Sequence, residues 1–239
     1  MPAWERGVSH KLAEKSVRPA ARAKKIPTAT RVLDVSARLF NRHGIEGVSI
    51  QQIAAALPIS LGNLTYHFNK KSDLLAAHVE HFDRQLNESM QALGDIRDPR
   101  LFTSVCVSVV RLIIRYRFLF GSANYITKNG LVPAARYDAL IARTKRTFIE
   151  QFEHLAAEGV LKPFALNYNM ALLVDALWHQ WLGWVLDRQL NPPACEPDEN
   201  ELAADIGLRM LFVGHLHLDA TFVAAVHGEL MALRTAPPA

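Results

Sequence analysis

The sequence has few cysteines and no long hydrophobic run, and these absences exclude several classes of protein. Only two of its 239 residues are cysteines, Cys106 and Cys195. A disulfide framework and a cysteine-rich zinc site are therefore not expected, and a reducing cytoplasm is the natural location. A membrane span needs about 18 consecutive apolar residues. The best candidate here, residues 105–110, stops at Arg111, so a transmembrane helix is excluded.

Targeting signals are missing as well. Basic residues near the N-terminus are not followed by a hydrophobic stretch of signal-peptide length, and Glu5 and Glu14 argue against a transit peptide. We therefore expect a cytoplasmic protein that does not associate with membranes.

The motifs of common enzymes and cofactor-binding proteins are also absent. The chain has no glycine-rich phosphate loop, no nucleophile elbow and no His/carboxylate metal motif. No enzymatic activity, metal site or cofactor is therefore expected. No segment alternates strictly between apolar and polar residues, so strands are not expected either. Because half of the residues are hydrophobic and 21% are charged, the chain can bury a core. These features predict an all-α fold.

The charge is distributed unevenly along the chain. Residues 1–71 contain 12 Lys/Arg against 4 Asp/Glu, whereas the remaining residues contain 15 against 19. A basic first third suggests a head that binds a polyanion, although a basic tail that only aids solubility would have the same composition. Residues 1–26 carry seven basic residues without helical periodicity and are interpreted as a flexible arm. This arm either follows a DNA groove or backbone or is a solvated tail, and the sequence leaves both open.

Residues 27–75 show the pattern of short, capped helices. An apolar face over residues 32–40 predicts a first helix that ends at Gly44. Ser49, with Gln52 three residues later, predicts a capping box at the start of a second helix, which Pro58 ends. Because proline fixes a negative φ, the turn at Pro58 is not expected to use a positive φ.

The third and fourth helices follow directly. Ser60 is expected to cap the third helix, with Leu61, Leu64 and Phe68 pointing inward, and Ser72 to cap a longer fourth helix. Two short helices joined by a tight turn, packed on a preceding helix, form the layout of a DNA-binding helix-turn-helix. A packed helical hairpin with no special role is the alternative. The outward residues of the third helix carry hydrogen-bonding groups; they are Ser60, Gly62, Asn63, Thr65, Tyr66 and His67.

These residues resemble the DNA-binding domain of the TetR/AcrR family of transcriptional regulators. The resemblance covers about residues 28–75; it rests on residues 31–44, Val48-Ser49-Ile50, Ile53-Ala54, residues 60–68, Lys71 and Leu74. Two positions depart from the family pattern, which usually has Gly where this chain has Pro58 and a phosphate-contacting Tyr where it has Thr65. The predicted DNA-binding residues are Ser49, Gln51, Ser60, Leu61, Gly62, Asn63, Thr65, Tyr66, His67, Lys70 and Lys71. Asparagine can read adenine, and the two lysines can contact phosphates.

The rest of the chain also reads as helical, with helices expected at 99–120, 122–129, 133–158, 168–190, 199–216 and 219–234. The family resemblance implies that residues 76–239 form a domain for effector binding and dimerisation. The 168–190 helix has apolar stripes on two sides, one through Val174 and Trp181 and one through Trp178 and Val185. Both apolar sides of this helix must therefore be covered by other apolar surfaces. We expect it to pair with the 199–216 helix across a dimer axis, with Gly207 allowing close approach; an intramolecular bundle is the alternative.

An effector pocket is expected within this domain. Asp175 and His179 lie four residues apart on one helix face and could anchor a polar ligand group, or could satisfy each other or cap a neighbouring arginine. The aromatic candidates are Tyr116, Phe120, Tyr125 and Trp178. We expect a homodimeric repressor that binds a palindromic operator in double-stranded DNA and is released by a small apolar effector. A helical ligand-binding protein or enzyme that kept the fold without DNA binding is the alternative function.

Overall fold

The computed structural model describes residues 27–92, 97–162, 169–191, 198–214 and 218–236. These ranges contain eleven helices, which are α1 (Thr28–His43), α2 (Ile50–Ala56), α3 (Leu61–His67), α4 (Lys71–Gln91), α5 (Pro99–Arg115), α6 (Arg117–Gly121), α7 (Ala123–Lys128), α8 (Ala134–Ala157), α9 (Met170–Leu190), α10 (Glu199–Gly214) and α11 (Ala220–Thr235). The described chain has no strand beyond one isolated bridge between Leu161 and Leu218. The all-α prediction is confirmed. The predicted basic arm, residues 1–26, lies outside the described ranges.

Helices α1 to α3 pack with the start of α4 into a small head. Phe40, Ile53 and Leu64 are fully buried at its centre, and burying such side chains contributes about 1.5–3 kcal/mol each. The predicted capping box is confirmed, because the Ser49 hydroxyl accepts from the Gln52 backbone N–H at 3.2 Å and the Gln52 side chain accepts from the Ser49 N–H at 2.7 Å. The Ser60 cap of α3 is confirmed as well.

The turn between α2 and α3 corrects the prediction for Pro58. This residue has a φ of +25°, although the sequence predicted that a proline would keep the turn out of the positive region. The Ile59 N–H donates to the Ala54 carbonyl at 3.3 Å, which is the long bond of a Schellman helix end. That motif places a left-handed residue at the position of Pro58, and its second, shorter bond is missing here because proline has no N–H.

Two further details of the head differ from prediction. Leu61 was expected to point inward but is 42% exposed. Because α3 has only seven residues, its core contact is centred on Leu64, and the first turn, which contains Leu61, is left partly uncovered. Ser72 does not cap α4: the helix begins at Lys71, and the Asp73 carboxylate accepts from the Lys70 N–H at 3.1 Å. An acidic side chain in the first turn also suits the helix dipole.

The body is a helical bundle with two hydrophobic clusters. One cluster is continuous with the core of the head and runs from Phe40 through Phe82 and Phe118 to Trp181. The second joins α5 to α10 and α11. The helix expected over residues 99–120 is divided, because α5 ends at Arg115 and α6 begins at Arg117. Within the described ranges, no helix is long and apolar enough to cross a membrane.

Helix α9 shows how the bundle covers its apolar surface. Val174, Trp181 and Val185 are buried within the single chain, so both predicted stripes face the interior at least in part. A third side of α9 remains exposed. We name it the α9 stripe; it consists of Leu172, Ala176, His179, Gly183, Leu186 and Leu190.

Gly207 on α10 does not lie on an outer surface, contrary to the predicted role in close approach to a partner. A Cβ atom there would lie 2.8 Å from a Leu230 side-chain carbon. The small residue therefore lets α10 approach α11 within one chain.

Candidate functional site

Helix α3 presents an uncharged polar surface on a firmly anchored helix. Leu64 fixes the helix to the core, and Gly62, Asn63 and His67 are exposed on the opposite side. Tyr66 is 85% exposed, an unusual position for a large aromatic side chain. These groups can donate and accept hydrogen bonds without first breaking any contact that holds the helix.

The hydroxyl of Thr65 is used inside α3. It donates to the Leu61 carbonyl at 3.0 Å or the Gly62 carbonyl at 3.2 Å, so its hydrogen is committed to the helix backbone. Tyr66, the next residue, is therefore the exposed hydroxyl donor on this helix. Gln51 is exposed on α2, and the hydroxyl oxygens of Ser49 and Ser60 accept backbone N–H groups as helix caps.

Lys70 and Lys71 have different surroundings although they are adjacent. The Lys71 ammonium donates to the Ile45 carbonyl at 2.8 Å. Burial lowers the pKa of Lys71, and the nearby charge of Glu46 opposes this effect. Lys71 therefore ties the start of α4 to the loop after α1. Lys70 is exposed beside α3 and is the freer of the two to meet a phosphate.

An apolar cavity of about 150 Å³ lies inside the body. Helices α4, α5, α8, α9, α10 and α11 all contribute to its wall; typical contributors are Phe82, Cys106, Phe148, Trp178, Met210 and Val226. The wall residues that bear polar atoms are few. They include Thr103 and Thr144, whose hydroxyls donate to the Pro99 carbonyl at 2.6 Å and the Leu140 carbonyl at 2.9 Å.

Comparison with known proteins identifies the family. A family model for bacterial regulatory proteins of the tetR family matches residues 32–78, and one for a bacterial transcriptional repressor matches residues 81–213, more than half of the chain. The transcriptional regulator AcrR of Shigella flexneri is 34% identical over 172 residues, which cover 65% of this chain and 78% of that protein. The chain belongs to the TetR/AcrR family of transcriptional regulators.

Other relatives agree with this assignment. A helix-turn-helix regulator of Staphylococcus aureus is 33% identical over 73 residues, 30% of this chain but only 38% of that protein. A TetR-family regulator from Marinobacter aquaeolei superposes with a TM-score of 0.66 at 22% identity, covering 87% of this chain and all of that one. The TetR-family protein CprB of S. coelicolor gives 0.62 at 16% identity, covering 87% and 97%. At such identities these structures support the fold alone.

The effector candidates of this TetR-family chain are scattered. Trp178 lines the cavity, whereas the other five candidates lie outside its wall. Asp175 accepts from the Lys145 ammonium at 2.7 Å, and the ring of the exposed His179 lies 2.7 Å from the Asp175 backbone carbonyl. The partner of Asp175 is therefore a lysine rather than the arginine expected as the alternative, and a role of the pair in effector binding stays a prediction.

The remaining aromatic candidates have packing roles. Tyr116 is buried and its hydroxyl donates to the Gln85 side chain at 3.1 Å. Phe120 packs edge-on against Trp181 with ring centres 4.5 Å apart, and Tyr125 is half-buried on α7. The sequence did not predict that α4, α8 and α11 contribute to the cavity wall, because each of them shows only an apolar face at helical spacing.

Polar side chains at the junction of head and body were also missed. The Asn41 amide donates to the Arg115 carbonyl at 2.9 Å and accepts from the Phe118 N–H at 3.0 Å. It thereby provides hydrogen-bond partners for backbone groups at the point where α5 ends and α6 begins. Ser36 on α1 and His78 on α4 hydrogen-bond at 2.9 Å in the interior. The signal in the sequence was a polar residue inside an apolar helix face.

Proposed function

We propose that the chain is a homodimeric repressor that binds a palindromic operator and is released by a small apolar effector. Residues 27–75 form the DNA-binding head in this proposal, and residues 76–239 form the effector-binding and dimerisation body. The observation that carries the proposal is the capped, core-anchored α3 with its exposed polar side.

Helix α3 is the element proposed to enter the major groove, which is about 12 Å wide and admits one helix. Asn63 is placed to read a base edge, because its amide can pair with adenine through two hydrogen bonds. Gln51, Tyr66, His67 and Lys70 are exposed around it and suit phosphate contacts that fix the position of the head.

The α9 stripe is proposed as the centre of the dimer interface. Leu172, Leu186 and Leu190 are 50%, 42% and 79% exposed there. A Cβ atom on Gly183 would meet nothing within 4 Å, so this part of α9 leaves room for a second helix. Dimerisation would cover this apolar surface and would place two α3 helices to enter successive major grooves, roughly 34 Å apart.

Ligand binding in the cavity is proposed to release the operator through helix α4. Phe82, Leu86 and Met90 of α4 belong to its wall, and α4 starts in the head at Lys71. A ligand that fits a bundle with a different α4 position would lower operator affinity by its differential affinity for the two arrangements.

DNA binding is tested by selecting duplex sites from a random pool and measuring affinity by mobility shift. Contacts with about six phosphates per dimer give a slope near −5 for the logarithm of the association constant against that of salt concentration. Asn63→Ala should relax the preference at one base pair at a cost of about 1–3 kcal/mol. Lack of any selected site, or affinity that is insensitive to salt, would contradict the proposal.

The dimer is tested by sedimentation of Leu186→Glu, which places a charge on the α9 stripe and should give monomers with poor operator affinity. Met231→Glu is the matched control, because Met231 is 37% exposed on a different helix, α11. An unchanged mass for folded Leu186→Glu would move the interface elsewhere.

A further inference from the structure

The wall of the cavity is neutral as well as apolar. Among the wall residues that the structure describes, none is an acid, a histidine, a lysine or an arginine. Burial raises the pKa of the Cys106 thiol to about 12, so this group also stays uncharged. A buried charge without a partner is strongly unfavourable, and this wall offers no partner to a charged ligand.

The neighbouring ion pair does not change this. Lys145 binds Asp175 at 2.7 Å, and its ammonium lies 5.4 Å from the centre of the Trp178 ring. Trp178 itself belongs to the cavity wall. The lysine charge is therefore already neutralised by a carboxylate and held against the indole, which leaves it poorly placed to receive a ligand carboxylate.

One fully buried donor in the wall has no acceptor. Trp181 lines the cavity and is 4% exposed, and its indole N–H has no hydrogen-bond partner. Phe120 and Trp178 pack edge-on against its ring, with centres 4.5 and 4.9 Å away. Leaving a buried donor unpaired destabilises the protein, so a ligand that brings an acceptor recovers part of this cost.

The two threonine hydroxyls do not compete for that acceptor. Thr103 and Thr144 already donate to backbone carbonyls of their own helices. Cys106 carries only a weak S–H donor. The wall also contains the side-chain N–H groups of Gln151 and Trp178, but these two residues are only half-buried. The indole N–H of Trp181 is the buried one without an acceptor, so it is the donor that gains most from a ligand acceptor.

We propose that the cavity selects uncharged apolar molecules that carry a carbonyl oxygen, which accepts from the indole N–H of Trp181. This rests on the proposed function, since it names the class of effector for that site. The volume of about 150 Å³ suits a molecule near the size of a substituted benzene.

The test uses the full chain without DNA and four probes of matched size: isopropylbenzene, acetophenone, benzoate and 1-phenylethylammonium. Calorimetric titration and thermal unfolding measure binding. We expect the two uncharged probes to bind and to raise the unfolding temperature, and the two charged probes to do neither. Benzoate or the ammonium binding as tightly as acetophenone would overturn the proposal, as would failure of all four to bind.

The role of the indole is measured by the ratio of acetophenone to isopropylbenzene affinity. Trp181→Phe keeps an aromatic ring and removes the N–H, so this ratio should fall about threefold to tenfold. Thr144→Val is the matched control on the same wall, because its hydroxyl already serves Leu140, and the ratio should not change. If the ratio is unchanged in Trp181→Phe, or if the preference for acetophenone is lost in Gln151→Leu instead, Trp181 is not the donor.

A spectroscopic measurement on the unsubstituted protein remains informative if Trp181→Phe does not fold. The indole N–H proton resonance of Trp181 should move downfield with acetophenone but not with isopropylbenzene. No shift with bound acetophenone would overturn the assignment. Because none of these measurements involves DNA, their failure is distinct from a failure of operator binding.

Discussion

The buried histidine at the junction of head and body predicts a specific loss of stability in acid. His78 is fully buried, and its imidazole Nε2 lies 2.9 Å from the Ser36 hydroxyl oxygen. That hydroxyl donates to the Leu33 carbonyl, so its oxygen accepts from the imidazole Nε2–H. The other ring nitrogen, Nδ1, has no partner. The folded protein therefore holds His78 neutral.

Burial lowers the pKa of His78 to about 3, and the nearby charges of His81 and Arg115 act in the same direction. The unfolded chain has an ordinary histidine pKa of about 6.5. Between these values the unfolded state binds more protons than the folded state, so the free energy of unfolding falls as the pH falls. The slope approaches about 1.4 kcal/mol per pH unit, which gives a loss of about 2 kcal/mol between pH 6.5 and 4.5.

The assay is urea unfolding at several values of pH in this range, at one protein concentration because the proposed dimerisation would also contribute to stability. In His78→Gln, a neutral amide can still donate to Ser36, although the new fit costs some stability at neutral pH. This variant should lose about 2 kcal/mol less than the unsubstituted protein on acidification. His227→Gln replaces an exposed histidine and should follow the unsubstituted protein. Parallel pH dependences for His78→Gln and the unsubstituted protein would refute the reasoning.

Three further predictions concern the head and its junction with the body. Lys70→Ala should weaken binding to all DNA sequences without changing stability. Lys71→Ala should also lower the free energy of unfolding by about 1–3 kcal/mol, because it removes a charged hydrogen bond. Mobility shifts measure the effect on DNA binding, and urea unfolding measures the effect on stability. Pro58→Gly should raise the unfolding free energy by about 1 kcal/mol, or the melting temperature by about 2–4 °C, because glycine accepts the positive φ; a lower melting temperature would contradict the strained turn. Asn41→Ala should cost about 1–3 kcal/mol in urea unfolding, whereas the exposed Asn124→Ala should cost almost nothing.

Features that depend on neighbours in the sequence were predictable. The start of α2 followed from Ser49 and Gln52, because a capping box is completed within one helical turn. The helical spacing of apolar residues identified Phe40 and Leu64 as core positions without any knowledge of the fold. The all-α class and the helix-turn-helix layout follow from such local signals.

Features that depend on distant parts of the chain were not predictable in the same way. Lys71 meets Ile45, and Asp175 meets Lys145, through contacts that exist only after the helices have packed. The cavity shows the same limit, because three of the helices around it, α9, α10 and α11, carry apolar residues on more than one side. The rotation of each helix in the bundle decides which apolar face lines the cavity, and periodicity does not contain that rotation.

The position of α4 explains how a signal from the cavity could reach the head. Phe82 belongs to the cavity wall, and His78, one turn earlier on the same helix, binds Ser36 of α1. Residues one turn apart on a helix move together unless the helix bends. A ligand that displaces Phe82 must therefore carry His78 with it or break a buried hydrogen bond, and breaking it would leave polar groups unpaired in the core. Displacement of α1 with α4 is the less costly outcome, so the Ser36–His78 bond is the contact through which the proposed release would reach the head.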